Sequence, residues 1–266
     1  MPNCLIKLQN KLFIVSLLRM YPGISSSELD PKQEIASHYA LLLARSTLFP
    51  VRPQLHEELR TNKLSQKLLA RLRNPSLQQT GDEYENDLTQ YAGLLAELHG
   101  KTILYGGEGP PGLNVQNLHD IISKDKKRLR RDSGFFISKN NAVLAPHPNQ
   151  SADVSGKRIE IDAGLILTDA QGNITPLIIE LKITTAKNEL KKAMRQSQIN
   201  HVLTVVNNAF KVNNAIYMLV VPSDSISPQQ EFVQSFVKRG NVYVQMPDSR
   251  QVFLEGARTI STPTQF

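Results

Sequence analysis

The sequence predicts an α/β protein, with a mixed central sheet preceded by an all-helical N-terminal region. Three observations carry this expectation. Leucines and tyrosines recur at helical spacing through the first hundred residues. From Lys157 onward, short β-branched runs alternate with polar, helix-forming stretches. The run "NAIYMLVVP", Asn214 to Pro222, is apolar throughout, as a central strand covered on both faces must be.

The elements follow in chain order. "LFIVSLL", Leu12 to Leu18, is too short to cross a bilayer and is flanked by Lys7, Lys11 and Arg19, so it reads as an amphipathic helix. "ELDPKQEIASHYALLLARSTLF" opens a second helix, with Asp30 as N-cap, Pro31 at the first helical position and Gln33 closing a capping box. "QLHEELRTNKLSQKLLARLR" continues the leucine spacing and stops near Asn74. In "TGDEYENDLTQYAGLLAELHG", Thr80 and Glu83 form a further capping box. Tyr84, Leu88, Tyr91, Leu95 and Leu98 make one apolar stripe, and Gly100 is expected to end the helix.

"GGEGPPG", Gly106 to Gly112, is a loop without the Lys-Ser/Thr pair of a phosphate-binding loop. "NVQNLHDIISKDKKRLRR" reads as a helix ending in a basic run. "GFFIS" and "NAVLA" read as short strands, and "PHPNQSADVSG" as a loop. Then come one strand, "KRIEIDAGLILT", a turn at "DAQGN", and a second strand, "TPLIIELKIT". A helix over Ala186 to Asn207 and the central strand follow. "SPQQEFVQSFVKRG" is a helix with Pro228 near its start, "NVYVQM" is the last strand, and "STPTQF" is a loose tail. The organisation is a helical region over residues 1–100 and an α/β domain over 101–266.

Composition bounds the function. With 266 residues, 40% hydrophobic and 21% charged, the chain has the make-up of a folded, soluble protein. A net charge of +7 points to a polyanionic partner. The single cysteine, Cys4, excludes an intrachain disulfide and a cysteine-rich zinc site, and it fits the cytoplasm or another reducing compartment. No stretch reads as a membrane span.

The chemistry concentrates between Arg158 and Lys182. Alternation along a strand puts Glu160 and Asp162 on one face, and Ile178, Glu180 and Lys182 on one face of the next strand. A turn at Gln171 and Gly172 would pair the strands and bring Asp162 to Glu180. Two carboxylates on an apolar sheet repel each other and are costly to desolvate, which a hard divalent cation with oxygen ligands relieves. Lys182 adds a positive charge on the same face, able to stabilise a phosphate oxyanion or an attacking water. An exposed hairpin with cross-strand ion pairs is the plainer alternative.

Asp162, seventeen intervening residues, then Glu180-Leu181-Lys182 resembles the D-x(n)-E-x-K signature of the PD-(D/E)XK nucleases. The order of hairpin, helix and strand is similar over roughly residues 135 to 246. The resemblance implies a restriction-endonuclease-like core. It implies Mg²⁺, with Mn²⁺ as substitute, held by Asp162, Glu180 and the Leu181 carbonyl, and Lys182 assisting the nucleophilic water. Ile161 stands where the proline of the signature is usually written. Gln196 matches the glutamine that several branches carry on the following helix and is a further catalytic candidate; Asn200 stands where their tyrosine would be. Glu160, or Glu85 from the preceding helices, would be an additional acid. Lys124, Lys126, Lys127, Arg128, Arg130 and Arg131 would contact nucleic-acid phosphates, and Lys187, Lys191, Lys192 and Arg195 would extend that surface.

The expected activity is metal-dependent hydrolysis of nucleic acid, with DNA endonuclease placed before RNA cleavage. A nuclease fold that binds nucleic acid or protein without cutting is the alternative. The helical region would serve DNA binding, regulation or formation of a homodimer.

Overall fold

A computed structural model describes residues 31–46, 53–60, 62–74, 81–118, 121, 135–138, 144–146, 158–183, 186–222, 229–246 and 249–261. Four helices come first: α1 (Pro31–Ser46), α2 (Pro53–Leu59), α3 (Lys63–Arg73) and α4 (Gly81–Gly106). Strands β1 (Asn114–Asn117), β2 (Phe135–Ser138), β3 (Leu144–Pro146), β4 (Arg158–Ile161), β5 (Ala163–Thr168) and β6 (Ile174–Leu181) follow. The chain then alternates through α5 (Lys187–Ala193), α6 (Gln196–Phe210), β7 (Ile216–Pro222), α7 (Glu231–Lys238), β8 (Val242–Met246) and α8 (Ser249–Ser261). Among the described residues no helix is long and apolar enough to cross a membrane.

The fold is mixed α/β, built on an open five-stranded sheet in the order β1-β5-β6-β7-β8. β1, β5 and β6 pair antiparallel, whereas β6, β7 and β8 pair parallel. β7 lies inside the sheet between β6 and β8, and its residues Ile216 to Val221 are buried, as their unbroken apolar run requires. On one face Ile178, Tyr217, Leu219 and Tyr243 meet Leu190 of α5, Ile199 and Val202 of α6, and Phe236 of α7. On the other, Leu165, Leu177, Ile179 and Val220 meet Ile35, Tyr39 and Leu43 of α1 and Leu104 of α4. A second core joins the outer side of α4, through Leu88, Tyr91 and Leu95, to α2, α3 and α8. A smaller sheet has the order β3-β2-β4.

The β5–β6 register is set by its turn. The Asp169 carboxylate accepts hydrogen bonds from the backbone N–H of Gln171 and Asn173 at 2.9 and 2.8 Å, and Gly172 takes a positive φ of 83° that a side chain would resist. These bonds, with the Asn173 side chain foremost, hold the Asp169 carboxyl below its ordinary range. The turn locks Ala163 opposite Ile179.

Several elements depart from the sequence expectation. Residues 54–73 form two helices rather than one, because Asn62 caps the second by accepting from the N–H groups of Leu64 and Ser65. α4 continues past Gly100 to Gly106; Gly100 is interior, and a Cβ there would lie 2.7 Å from Leu181 Cδ1. That glycine allows close helix–sheet approach instead of ending the helix. Asn114–Asn117, expected to start a helix, is a strand that pairs along β5 and covers its edge.

The single strand expected over residues 157–168 breaks at Asp162, β4 joining the small sheet and β5 the large one. The helix expected over Ala186 to Asn207 is two. In a continuous helix Ile199 would point about 180° away from Leu190, and the extended Arg195 between α5 and α6 re-phases both onto the sheet. α7 begins at Glu231, after Pro228, and α8 was not expected at all. The caps assigned to Asp30 and Thr80, the Leu12–Leu18 stretch, Cys4 and the basic run lie outside the described residues.

Candidate active site

The extrapolated register of β5 and β6 puts Asp162 opposite Glu180, one pair beyond Ala163 and Ile179. This is the carboxyl end of β6, at the start of the parallel half of the sheet, where open α/β sheets bind ligands. The Leu181 N–H donates to Asp162 Oδ2 at 2.7 Å, a buried hydrogen bond that replaces the lost strand pairing and orients the carboxylate. Beyond the end of β6, the Lys182 N–H still donates to the Val220 carbonyl at 2.9 Å, so the lysine backbone stays anchored to β7.

The lysine head group joins the acids. Lys182 Nζ lies 2.6 Å from Glu180 Oε1 and 3.6 Å from Asp162 Oδ2. The Asp162 and Glu180 side chains are 7% and 15% exposed, and that of Lys182 33%, so the cation caps the acids on the solvent side. Burial pulls the Lys182 pKa down. The charges of Asp162 and Glu180, and the hydrogen bond to Glu180, outweigh it and raise the value far above the ordinary lysine range. In this arrangement Lys182 is a cation and a hydrogen-bond donor to Glu180.

The structure places the other expected residues unevenly. Glu160 belongs to β4, in register with Phe136 of β2, so the strand alternation that paired it with Asp162 stops at the break between sheets. Glu85 is exposed, 4.0 Å from Arg258 of α8. It lies twelve residues, about 18 Å of helix, before Glu97 on the same helix. Glu97 is the α4 acid whose charge acts on Lys182, and sequence reasoning missed it. Its pairing with Lys101 at 4.0 Å has the spacing of an ordinary surface pair, and only tertiary packing buries Lys101.

Gln196 opens α6, with its amide donating to Asn200 and its carbonyl accepting from Asn241 at 3.4 Å; neither bond reaches the acids. Lys124, Lys126, Lys127, Arg128, Arg130 and Arg131 lie outside the described residues. Lys187 and Lys191 stand over the Phe232 ring, 5.9 and 5.5 Å from its centre, while Lys192 pairs with Glu189 at 2.6 Å.

The donor set suits a hard cation. Asp162 Oδ1 takes no hydrogen bond among the described residues, both contacts of this carboxylate being on Oδ2. Also among the described residues, no third acid, histidine or cysteine completes a larger ligand group. No protein family, no curated protein and no solved structure matches this chain.

Proposed function

We propose that the protein is a metal-dependent phosphodiesterase of restriction-endonuclease-like architecture, cutting nucleic acid, with DNA the preferred substrate. The observation that carries this reading is the convergence of Asp162, Glu180 and Lys182 at the carboxyl end of β6. A merely structural ion pair would cost little to replace by apolar residues at so buried a place, whereas an acid–acid–lysine group with a carboxylate oxygen that takes no hydrogen bond among the described residues is suited to chemistry.

Asp162 Oδ1, Glu180 and the Leu181 carbonyl would hold Mg²⁺ or Mn²⁺. The ion, when bound, offsets charge on a phosphoryl oxygen and lowers the pKa of a coordinated water. The Leu181 N–H keeps Asp162 in orientation as substrate enters. Lys182, whose ammonium already lies between the two acids, would donate to the phosphate oxygen that gains charge as the phosphorus–oxygen bond breaks. Lys187 and Lys191, exposed and gathered around one ring, would contact neighbouring phosphates.

The test is incubation with plasmid, linear and single-stranded DNA and with RNA, in Mg²⁺ and in EDTA, beside Asp162→Asn and Glu180→Gln. Cleavage in Mg²⁺ alone, lost in both variants while their unfolding midpoints stay near wild type, is the expected result. Binding without cleavage under any divalent metal would replace this reading by that of a non-cutting binding module.

A further inference from the structure

Tyr217 stands on β7 opposite Ile178, and the next residue on its face, Leu219, is the cross-strand partner of Glu180. The ring therefore shares the sheet face of Glu180, one pair before it, with Phe236 packed edge-on at 6.2 Å. Tyr217 is only 5% exposed. Tyrosines this deeply buried normally satisfy their hydroxyl within the protein. Among the described residues, however, no hydrogen bond reaches the Tyr217 hydroxyl, although Asp162 and Glu180 are close enough for their charges to act on it.

A phenol on the sheet face of a carboxylate is a donor, and among the described residues Asp162 takes a hydrogen bond from the Leu181 N–H and Glu180 one from Lys182, with none from Tyr217. Burial, followed by the negative charges of Glu180 and Asp162, pushes ionisation of the phenol well above the ordinary tyrosine value, so the proton stays on the oxygen. The donor is left for a third group with oxygen acceptors. We propose that the Tyr217 hydroxyl donates a hydrogen bond to a non-bridging oxygen of the phosphodiester held at Asp162, Glu180 and Lys182. Tyr217 would then be a catalytic residue of the same site, and this assignment rests on the phosphodiesterase reading. It is not a position to which the signature of acids and lysine extends.

Tyr217→Phe removes one oxygen and keeps the ring, so packing against Phe236 survives. The experiment measures single-turnover cleavage at saturating protein on an oligonucleotide whose cleaved bond has been mapped. That bond carries either the normal phosphate or a single phosphorothioate of each configuration. Wild type, Tyr217→Phe and Asp162→Asn are compared, and unfolding midpoints are recorded. The expected result is a rate about tenfold to a hundredfold lower for Tyr217→Phe, at an unchanged midpoint. In addition, the slowing caused by sulfur in one configuration should be present in wild type and absent from Tyr217→Phe, because the hydrogen bond it weakens is already gone. A full rate in Tyr217→Phe, or sulfur effects identical to wild type in both configurations, overturns the proposal. Absence of cleavage by wild type, or full cleavage by Asp162→Asn, overturns the phosphodiesterase reading itself and the Tyr217 assignment with it.

Discussion

Replacing Lys182 by methionine keeps most of the side-chain volume and deletes the ammonium that lies between Glu180 and Asp162. At 2.6 and 3.6 Å the gross attractions are about 6 and about 5 kcal/mol at an effective dielectric constant of about 20. Desolvation of the three groups offsets much of this. Removing one partner from a buried ion pair typically costs about 3–5 kcal/mol, and the third of the Lys182 side chain that meets water puts the loss near about 3 kcal/mol. That is a large share of the roughly 5–15 kcal/mol that holds a domain together.

The pH dependence gives the reasoning its sign. In wild type the raised Lys182 pKa contributes stability that is complete below the ordinary lysine value of 10.5 and is lost only as pH rises through the still higher folded value. It is therefore level between pH 5 and 8. In Lys182→Met the two carboxylates face each other without the lysine ammonium, so folding favours protonating one of them more than in wild type. The native variant binds a proton more readily than its unfolded chain, whose carboxyls titrate near about 4. Its deficit should grow as pH rises from about 4 through the raised folded value, and be smaller at pH 5 than at pH 7.5 by about 1 kcal/mol. Urea unfolding followed by circular dichroism at the two pH values measures it. A deficit that is the same at both, or larger at pH 5, would refute the electrostatic account of this cluster.

Two further predictions concern packing and binding. Gly93→Ala and Gly100→Ala sit in the same helix, and each should gain helix propensity of up to about 1 kcal/mol. At Gly93 the nearest obstacle is Ile183 Cγ1 at 4.0 Å, whereas at Gly100 it is Leu181 Cδ1 at 2.7 Å. Denaturant midpoints should therefore rise for Gly93→Ala and fall for Gly100→Ala, where overpacking of about 1–3 kcal/mol wins. Equal shifts would show that Leu181 yields freely. Lys187→Gln combined with Lys191→Gln should lower the slope of log affinity for duplex DNA against log salt by about 2, measured with Ca²⁺ to prevent cleavage. An unchanged slope would leave these lysines as a solvent-facing cluster on Phe232.

What local sequence dictated is the hairpin and its chemistry. Asp169, Gly172 and Asn173 contain the turn within five residues, and the register that follows brings Asp162 to Glu180 without help from the rest of the chain. The apolar run of β7 likewise announced a strand with two covered faces. What depends on distant neighbours could not be read locally. Gly100 resembles a helix stop until Leu181 is seen against it, and Asn114–Asn117 becomes a strand because β5 offers an unpaired edge. The break between α5 and α6 has no proline or glycine to mark it; the sheet imposes it by requiring both Leu190 and Ile199 to face the core. Glu97 and Tyr217 could not be read locally for the same reason. Neither lies near Asp162 or Glu180 in sequence; the packing of α4 lets the Glu97 charge act on Lys182, and the parallel pairing of β7 with β6 puts Tyr217 on the sheet face of Glu180.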